Sequence, residues 1–184
     1  MNKYNITPYF ALPRLPQQYL FALGGFSSAP SSSIEVYNSS SDQWSRKKPK
    51  LPLGLAYCTA QVMGAKIFVM GGVSVDPLTH GGVVNRKTFI IDINKGTIES
   101  SICMKEKTTY LSSEVLNTTI YLFGGKGVGQ ETSRLKSCER LDTSKLPLNW
   151  ERIQPLEHGR ADAGAAAVRG SIYLTEVSNP TFSD

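Results

Sequence analysis

The sequence has few residues of the kinds that carry catalysis or bind metals. It contains two histidines in 184 residues, and His80 and His158 lie far apart, each next to a glycine. Neither has a cysteine or carboxylate at the short spacing of a metal site, and neither has an identifiable partner for a Ser-His-Asp arrangement. We therefore expect no enzyme activity, no metal site and no cofactor.

Long apolar stretches and paired cysteines are also missing. The longest apolar runs, such as Ile67 to Met70, are a few residues long, whereas about 20 residues are needed to cross a bilayer. Met1 to Phe10 lack the basic and apolar segments of a secretion signal, and the three cysteines are an odd number at wide spacing. These absences predict no membrane partner, reduced thiols and a cytoplasmic location.

Two patterns that suggest phosphate or nucleic acid are weak. The glycine-rich stretch from Gly124 to Gly129 matches neither of the common phosphate-binding motifs. The basic stretch from Arg46 to Lys50 is short and has no interleaved aromatic residues. The net charge of +5 is also modest. We expect no nucleic-acid partner.

The sequence does contain an internal repeat. An apolar, β-prone run that ends in two glycines appears three times, at about 50-residue intervals. The three glycine pairs are Gly24-Gly25, Gly71-Gly72 and Gly124-Gly125. A fourth apolar run, Ser171 to Val177, comes at the expected distance without the glycines.

A second regularity follows each glycine pair. A short strand ends in an apolar residue, and a turn then leads to a second large apolar residue. These two positions are Tyr37 and Trp44, then Ile91 and Ile98, then Leu141 and Trp150. With a strand of small residues upstream of each apolar run, every unit has four short strands.

The repeat unit has a physical explanation. Paired glycines at the end of a buried strand permit positive φ and a close approach of another backbone, and the outer aromatic residue of each unit is placed to cover them. Four-stranded sheets that bury both faces need neighbours on both sides, which a β-propeller provides. No segment has a sustained helical stripe, so we predict an all-β propeller.

These residues resemble kelch repeats. The resemblance rests on the glycine pairs, on Tyr37, Trp44 and Trp150, and on the period of about 50 residues. Ser33 to Asn38, followed by Asp42 to Trp44, is most similar to the kelch portion of BTB-kelch (kelch-like) proteins. The second unit has Ile91 and Ile98 in place of Tyr and Trp, and the fourth lacks the glycines.

The resemblance implies an incomplete propeller of about 3 to 3.5 blades. The expected segments are an N-terminal linker at 1–16, repeats at 17–53, 54–103 and 104–154, a partial repeat at 155–176 and a tail at 177–184. Such a chain is expected to be a fragment or a truncated relative. Its open blade edges predict self-association.

The resemblance also implies a non-catalytic protein-interaction module, whose loops gather on one rim of the propeller. The expected role is substrate recognition within a kelch-like adaptor of a cullin-RING ubiquitin ligase. Actin or cytoskeletal binding is the alternative, and a propeller enzyme such as an oxidase or sugar epimerase is a further one. Basic rim residues favour an acidic peptide partner: Arg46, Lys47, Arg86, Lys87, Lys126, Arg134 and Arg160.

Overall fold

The computed structural model describes residues 18–47, 49–128 and 134–175. The predicted linker at 1–16 and the predicted tail at 177–184 lie outside this part. Within it, the regular structure consists of β-strands, without a helix. In chain order the strands are β1 (Tyr19–Leu23), β2 (Ile34–Asn38), β3 (Gln43–Arg46), β4 (Thr59–Met63), β5 (Lys66–Met70), β6 (Val73–Val75), β7 (Gly82–Val84), β8 (Lys87–Asp92), β9 (Thr97–Cys103), β10 (Ser112–Leu116), β11 (Thr119–Phe123), β12 (Cys138–Asp142), β13 (Glu151–Ile153), β14 (Gly164–Val168) and β15 (Ser171–Thr175).

The strands form four successive antiparallel sheets, which we number one to four. Sheet one has the order β1-β2-β3, sheet two β4-β5-β8-β9, sheet three β10-β11-β12-β13, and sheet four β14-β15. Sheets two and three are therefore complete four-stranded units. Sheet one has three of the four strand positions and sheet four has two, counted within the described residues.

A short hairpin, β6-β7, extends from sheet two. The sequence analysis did not identify these two strands. Val73 pairs with Val84 and Val75 with Gly82, while the side chain of Asp76 accepts hydrogen bonds from the turn at Leu78, 2.7 Å away. Three-residue strands are too short to show an alternating pattern, which explains why the sequence did not reveal them.

The core lies between neighbouring sheets. Along β5, Ile67 and Val69 point to sheet one, whereas Phe68 and Met70 point to sheet three. This alternation is the period-2 geometry of a strand. Sheet two is consequently buried on both faces, as expected for a blade that is stacked between two others.

The three glycine pairs have equivalent surroundings. The first glycine of each pair, Gly24, Gly71 or Gly124, has a φ of 70°, 67° or 60°. A side chain at any of these positions would meet a backbone carbonyl of the next sheet. Glycine is needed at these positions because φ is positive and because a neighbouring carbonyl leaves no room for a side chain. The atoms nearest to such a side chain are backbone and aliphatic atoms, and the cover of the glycines by an outer aromatic residue stays a prediction.

Candidate partner-binding surface

One end of the sheets carries all of the basic residues that the sequence analysis selected. We call it the diglycine end, because β1, β5 and β11 finish there and the glycine pairs follow them. Strand registers place the start of β8 and β12 and the end of β3 at this same end. The seven residues are Arg46, Lys47, Arg86, Lys87, Lys126, Arg134 and Arg160.

Backbone hydrogen bonds join each sheet to the next at the diglycine end. The second glycine of each pair donates its N–H to a carbonyl just before the inner strand of the following sheet. The repetition fixes the relative positions of the loops. The donor–acceptor distances are 2.8 Å for Gly25 to Leu55, 2.9 Å for Gly72 to Thr108 and 2.7 Å for Gly125 to Arg160.

Two residues after each of these carbonyls, a residue adopts the left-handed conformation. Tyr57, Tyr110 and Asp162 each have a φ of 55°, which is uncommon outside glycine. The N–H of Tyr110 donates to the carbonyl of Tyr57 at 3.1 Å, and the N–H of Asp162 donates to that of Tyr110 at 3.0 Å. This second row of hydrogen bonds holds three side chains at equivalent positions beside the inner strands.

The aromatic side chains of this end form a continuous stack. Phe26, which follows the first glycine pair, has its ring centroid 6.0 Å from that of Tyr57, with 23° between the planes. The rings of Tyr57 and Tyr110 are 4.4 Å apart at 26°. The ammonium of Lys126 lies 4.9 Å from the centroid of Tyr110. Sheets one, two and three each contribute one ring.

The stack remains accessible to a partner. Phe26 is 57% exposed and Tyr57 is 42% exposed. Aromatic pairs of this kind contribute about 0.5–1.5 kcal/mol beyond their buried area, so the rings hold one another in place before a partner arrives.

The environment of Tyr110 keeps its phenol group neutral. Burial raises the pKa of Tyr110 most, followed by its hydrogen bond to Tyr57 and by the negative charge of Asp162. An ordinary tyrosine already has a pKa near 10. Tyr110 therefore stays protonated at neutral pH, and the ammonium of Lys126 lies over its neutral ring.

Three of the seven basic residues come together next to this stack. Lys126 and Arg134 form an antiparallel bridge across one loop. The N–H of Arg160 donates to the carbonyl of Leu135 at 3.1 Å, which brings the next loop against the first. We define the aromatic–basic surface as these three residues together with the stacked rings: Phe26, Tyr57, Tyr110, Lys126, Arg134 and Arg160.

The other four basic residues belong to sheets one and two. Arg46 forms an ion pair with Glu35 at 3.3 Å on the outer strands of sheet one, so its charge is already partly neutralised. Lys47 borders a groove between sheets one and two. Arg86 and Lys87 are exposed at the start of β8. Lys126, by contrast, lies over the ring of Tyr110, and backbone contacts join the loops of Arg134 and Arg160 to that of Lys126.

The sequence analysis missed the aromatic part of this surface. A signal was present, because Tyr57 and Tyr110 are separated by the same interval as the glycine pairs that follow them, Gly71-Gly72 and Gly124-Gly125. The two rings stack with Phe26 because φ is positive at both tyrosines and because the loop that carries Phe26 brings its ring against Tyr57. Neither can be read from the residue pattern.

In residues 18–47, 49–128 and 134–175, no three histidine, cysteine or acidic side chains are grouped closely enough to hold a metal ion. The same ranges contain no helix that is long and apolar enough to span a membrane.

Comparisons with known proteins agree with this architecture. Residues 16–50 match the family model of the Kelch motif. No curated protein matches the sequence. A solved structure titled "Structure of YjhT" has 16% sequence identity and a TM-score of 0.71, and the similarity covers 85% of this chain and 55% of that one. The chain thus spans little more than half of that protein, and its fold is an all-β propeller of the kelch type.

Proposed function

We propose that this chain is a non-catalytic protein-interaction module that binds an acidic segment of a partner on the aromatic–basic surface. The observation that carries the proposal is the stack of Phe26, Tyr57 and Tyr110 across three sheets, closed at one end by Lys126. A loop surface on a rigid scaffold is a common place for recognition.

The chemistry of the surface suits a peptide. Aromatic residues and arginine supply most of the binding energy at protein interfaces, and this surface combines three rings with Arg134 and Arg160. Because the rings are already stacked and the loops are joined by backbone hydrogen bonds, little side-chain entropy is lost on binding. The basic residues favour carboxylates and increase the rate of encounter with an acidic partner.

We further propose that the module selects substrates within a kelch-like adaptor of a cullin-RING ubiquitin ligase in the cytoplasm. Support comes from the Kelch motif match at residues 16–50 and from the resemblance of Ser33 to Trp44 to kelch-like proteins. If the proposal is right, blocking cullin-RING activity in cells will raise the abundance of the captured partners. An unchanged abundance, or capture of actin filaments instead, would count for the cytoskeletal alternative.

The binding surface itself is tested by affinity capture from lysate with matched variants. Tyr57→Ala and Lys126→Glu should deplete the same set of partners by about tenfold or more, which corresponds to about 1.4 kcal/mol. Lys145→Glu is the control, because Lys145 lies in the turn at the opposite end of sheet three. An identical partner list for all three variants would refute the proposed surface.

The acidic character of the partner is tested separately. Overlapping synthetic peptides from each captured protein are titrated against the chain, and the bound peptides should carry net negative charge. Their affinity should fall as salt is raised, because exposed charge pairs are screened. Bound peptides that are neutral or basic would leave the surface in place and contradict its proposed preference.

A further inference from the structure

The repeat shows how one sheet normally packs on the sheet before it. In sheet three, Ile120, Leu141 and Trp150 point to sheet two, and each is 0% exposed. The indole N–H of Trp150 donates to the hydroxyl of Thr88 in sheet two at 3.0 Å. This face of a sheet is therefore built to be covered by a preceding sheet.

Sheet one has the same face with nothing against it in the part of the chain that the structure describes. Phe21 packs on sheet two, so Leu20, its neighbour along β1, points the other way. Leu20 is 60% exposed and Trp44 is 56% exposed. The rings of Tyr37 and Trp44 are 5.4 Å apart. We call Leu20, Tyr37 and Trp44 the leading face.

The opposite face is open in sheet four. Tyr173 on β15 occupies the position that Phe68 has on β5, since each precedes by two residues the end of its strand. Phe68 is 1% exposed because sheet three covers it, whereas Tyr173 is 59% exposed and Val168 is 50% exposed. Ala166 on β14 pairs with Tyr173, and Val168 lies two residues further along the same strand. We call Ala166, Val168 and Tyr173 the trailing face.

We propose that the leading face of one copy of this chain packs on the trailing face of a second copy. The two faces have the roles that sheets two and three fulfil within one chain, where they enclose an apolar core.

The charge distribution permits this contact. The Glu35–Arg46 ion pair on the outward side of sheet one is already formed within the chain, at 3.3 Å. Covering it leaves no unpaired charge, which would otherwise be costly. Because the two faces differ, the contact is head-to-tail, and it produces either a closed ring of copies or an open chain.

Sedimentation velocity of the whole chain tests the association. The average mass should rise from that of one copy toward that of two or more over about a hundredfold range of concentration. A mass of one copy over the whole range would overturn the proposal, whatever other protein the faces then bind.

Paired variants test which faces are used. Trp44→Glu and Tyr173→Glu should each weaken association by at least about tenfold. An equimolar mixture of the two should form dimers again, because the intact Trp44 of one variant meets the intact Tyr173 of the other. Leu78→Glu is the control, since Leu78 is 89% exposed and lies in the turn between β6 and β7.

The mixing experiment separates a specific head-to-tail contact from general stickiness. Failure of the mixture to form dimers, or an equal effect of Leu78→Glu, would overturn the assignment. Loss of folding is monitored in the same samples, because Trp44→Glu leaves Trp150 as the remaining tryptophan. Its emission should stay that of a buried indole.

Discussion

The two tryptophans occupy the same position of the repeat in opposite environments, and this contrast gives the sharpest test of the packing. Trp150 is 0% exposed and Trp44 is 56% exposed. We predict that Trp150→Phe lowers the free energy of unfolding substantially, whereas Trp44→Phe changes it by less than about 0.5 kcal/mol. The sequence alone gives no reason for the two substitutions to differ.

The size of the Trp150→Phe effect follows from its contacts. The phenylalanine ring cannot donate a hydrogen bond, so the buried hydroxyl of Thr88, now 3.0 Å from the indole nitrogen, loses its partner. An unsatisfied buried group costs about 1–3 kcal/mol. The smaller ring also buries less apolar area, which lowers the stability by about 1 kcal/mol. The expected total is about 2–4 kcal/mol.

Urea unfolding, followed by circular dichroism at a concentration that keeps the chain monomeric, measures this difference. With a slope of about 2 kcal/mol per molar urea, the midpoint of Trp150→Phe should fall by about 1–2 M. Thr88→Val removes the hydroxyl itself, so the double variant should be less destabilised than the sum of the two single variants. Equal midpoints for Trp150→Phe and Trp44→Phe, or strict additivity in the cycle, would refute the reasoning.

Two further predictions concern the backbone and the pH dependence. Gly124→Ala should lower the free energy of unfolding in urea by at least about 3 kcal/mol, because the added carbon meets the carbonyl of Arg160. Gly64 has the same φ of 60° but lies in open space, so Gly64→Ala should lower it by only about 1 kcal/mol. Similar losses for the two variants would contradict the close approach at Gly124. Burial raises the pKa of Glu139, so protonation favours the folded state, and the wild-type free energy of unfolding should lose this contribution as pH rises through the folded-state pKa. Glu139→Gln should lack this part of the pH dependence in urea titrations from about pH 4 to about pH 8, and parallel profiles would show that the carboxyl is not perturbed.

Much of the architecture was predictable because local sequence patterns determine it. The runs that end at Gly24, Gly71 and Gly124 alternate or remain apolar with the period of a strand, and the glycine pairs recur with the period of the repeat. Both signals lie within a few residues of one another, and they indicate strands and tight chain crossings without knowledge of distant contacts. The all-β propeller fold followed from them.

The partner-binding surface was only half predictable. Charge can be read from composition, so the sequence identified Lys126, Arg134 and Arg160 together with four other basic residues. It could not show that Arg46 is paired with Glu35. Which basic side chains are paired and which lie beside the aromatic rings depends on the loops that contact one another at the diglycine end. Hydrogen bonds between the sheets determine those contacts.

The sequence by itself determined that the chain is built from repeated sheets joined at glycine pairs, because strand period and glycine conformation are properties of neighbouring residues. Only the tertiary structure decided that Trp150 is core and Trp44 is surface, and that Tyr57 and Tyr110 stack. Burial and stacking depend on the sheet that lies next in space. Identical residues at identical repeat positions therefore acquire different roles from their neighbours.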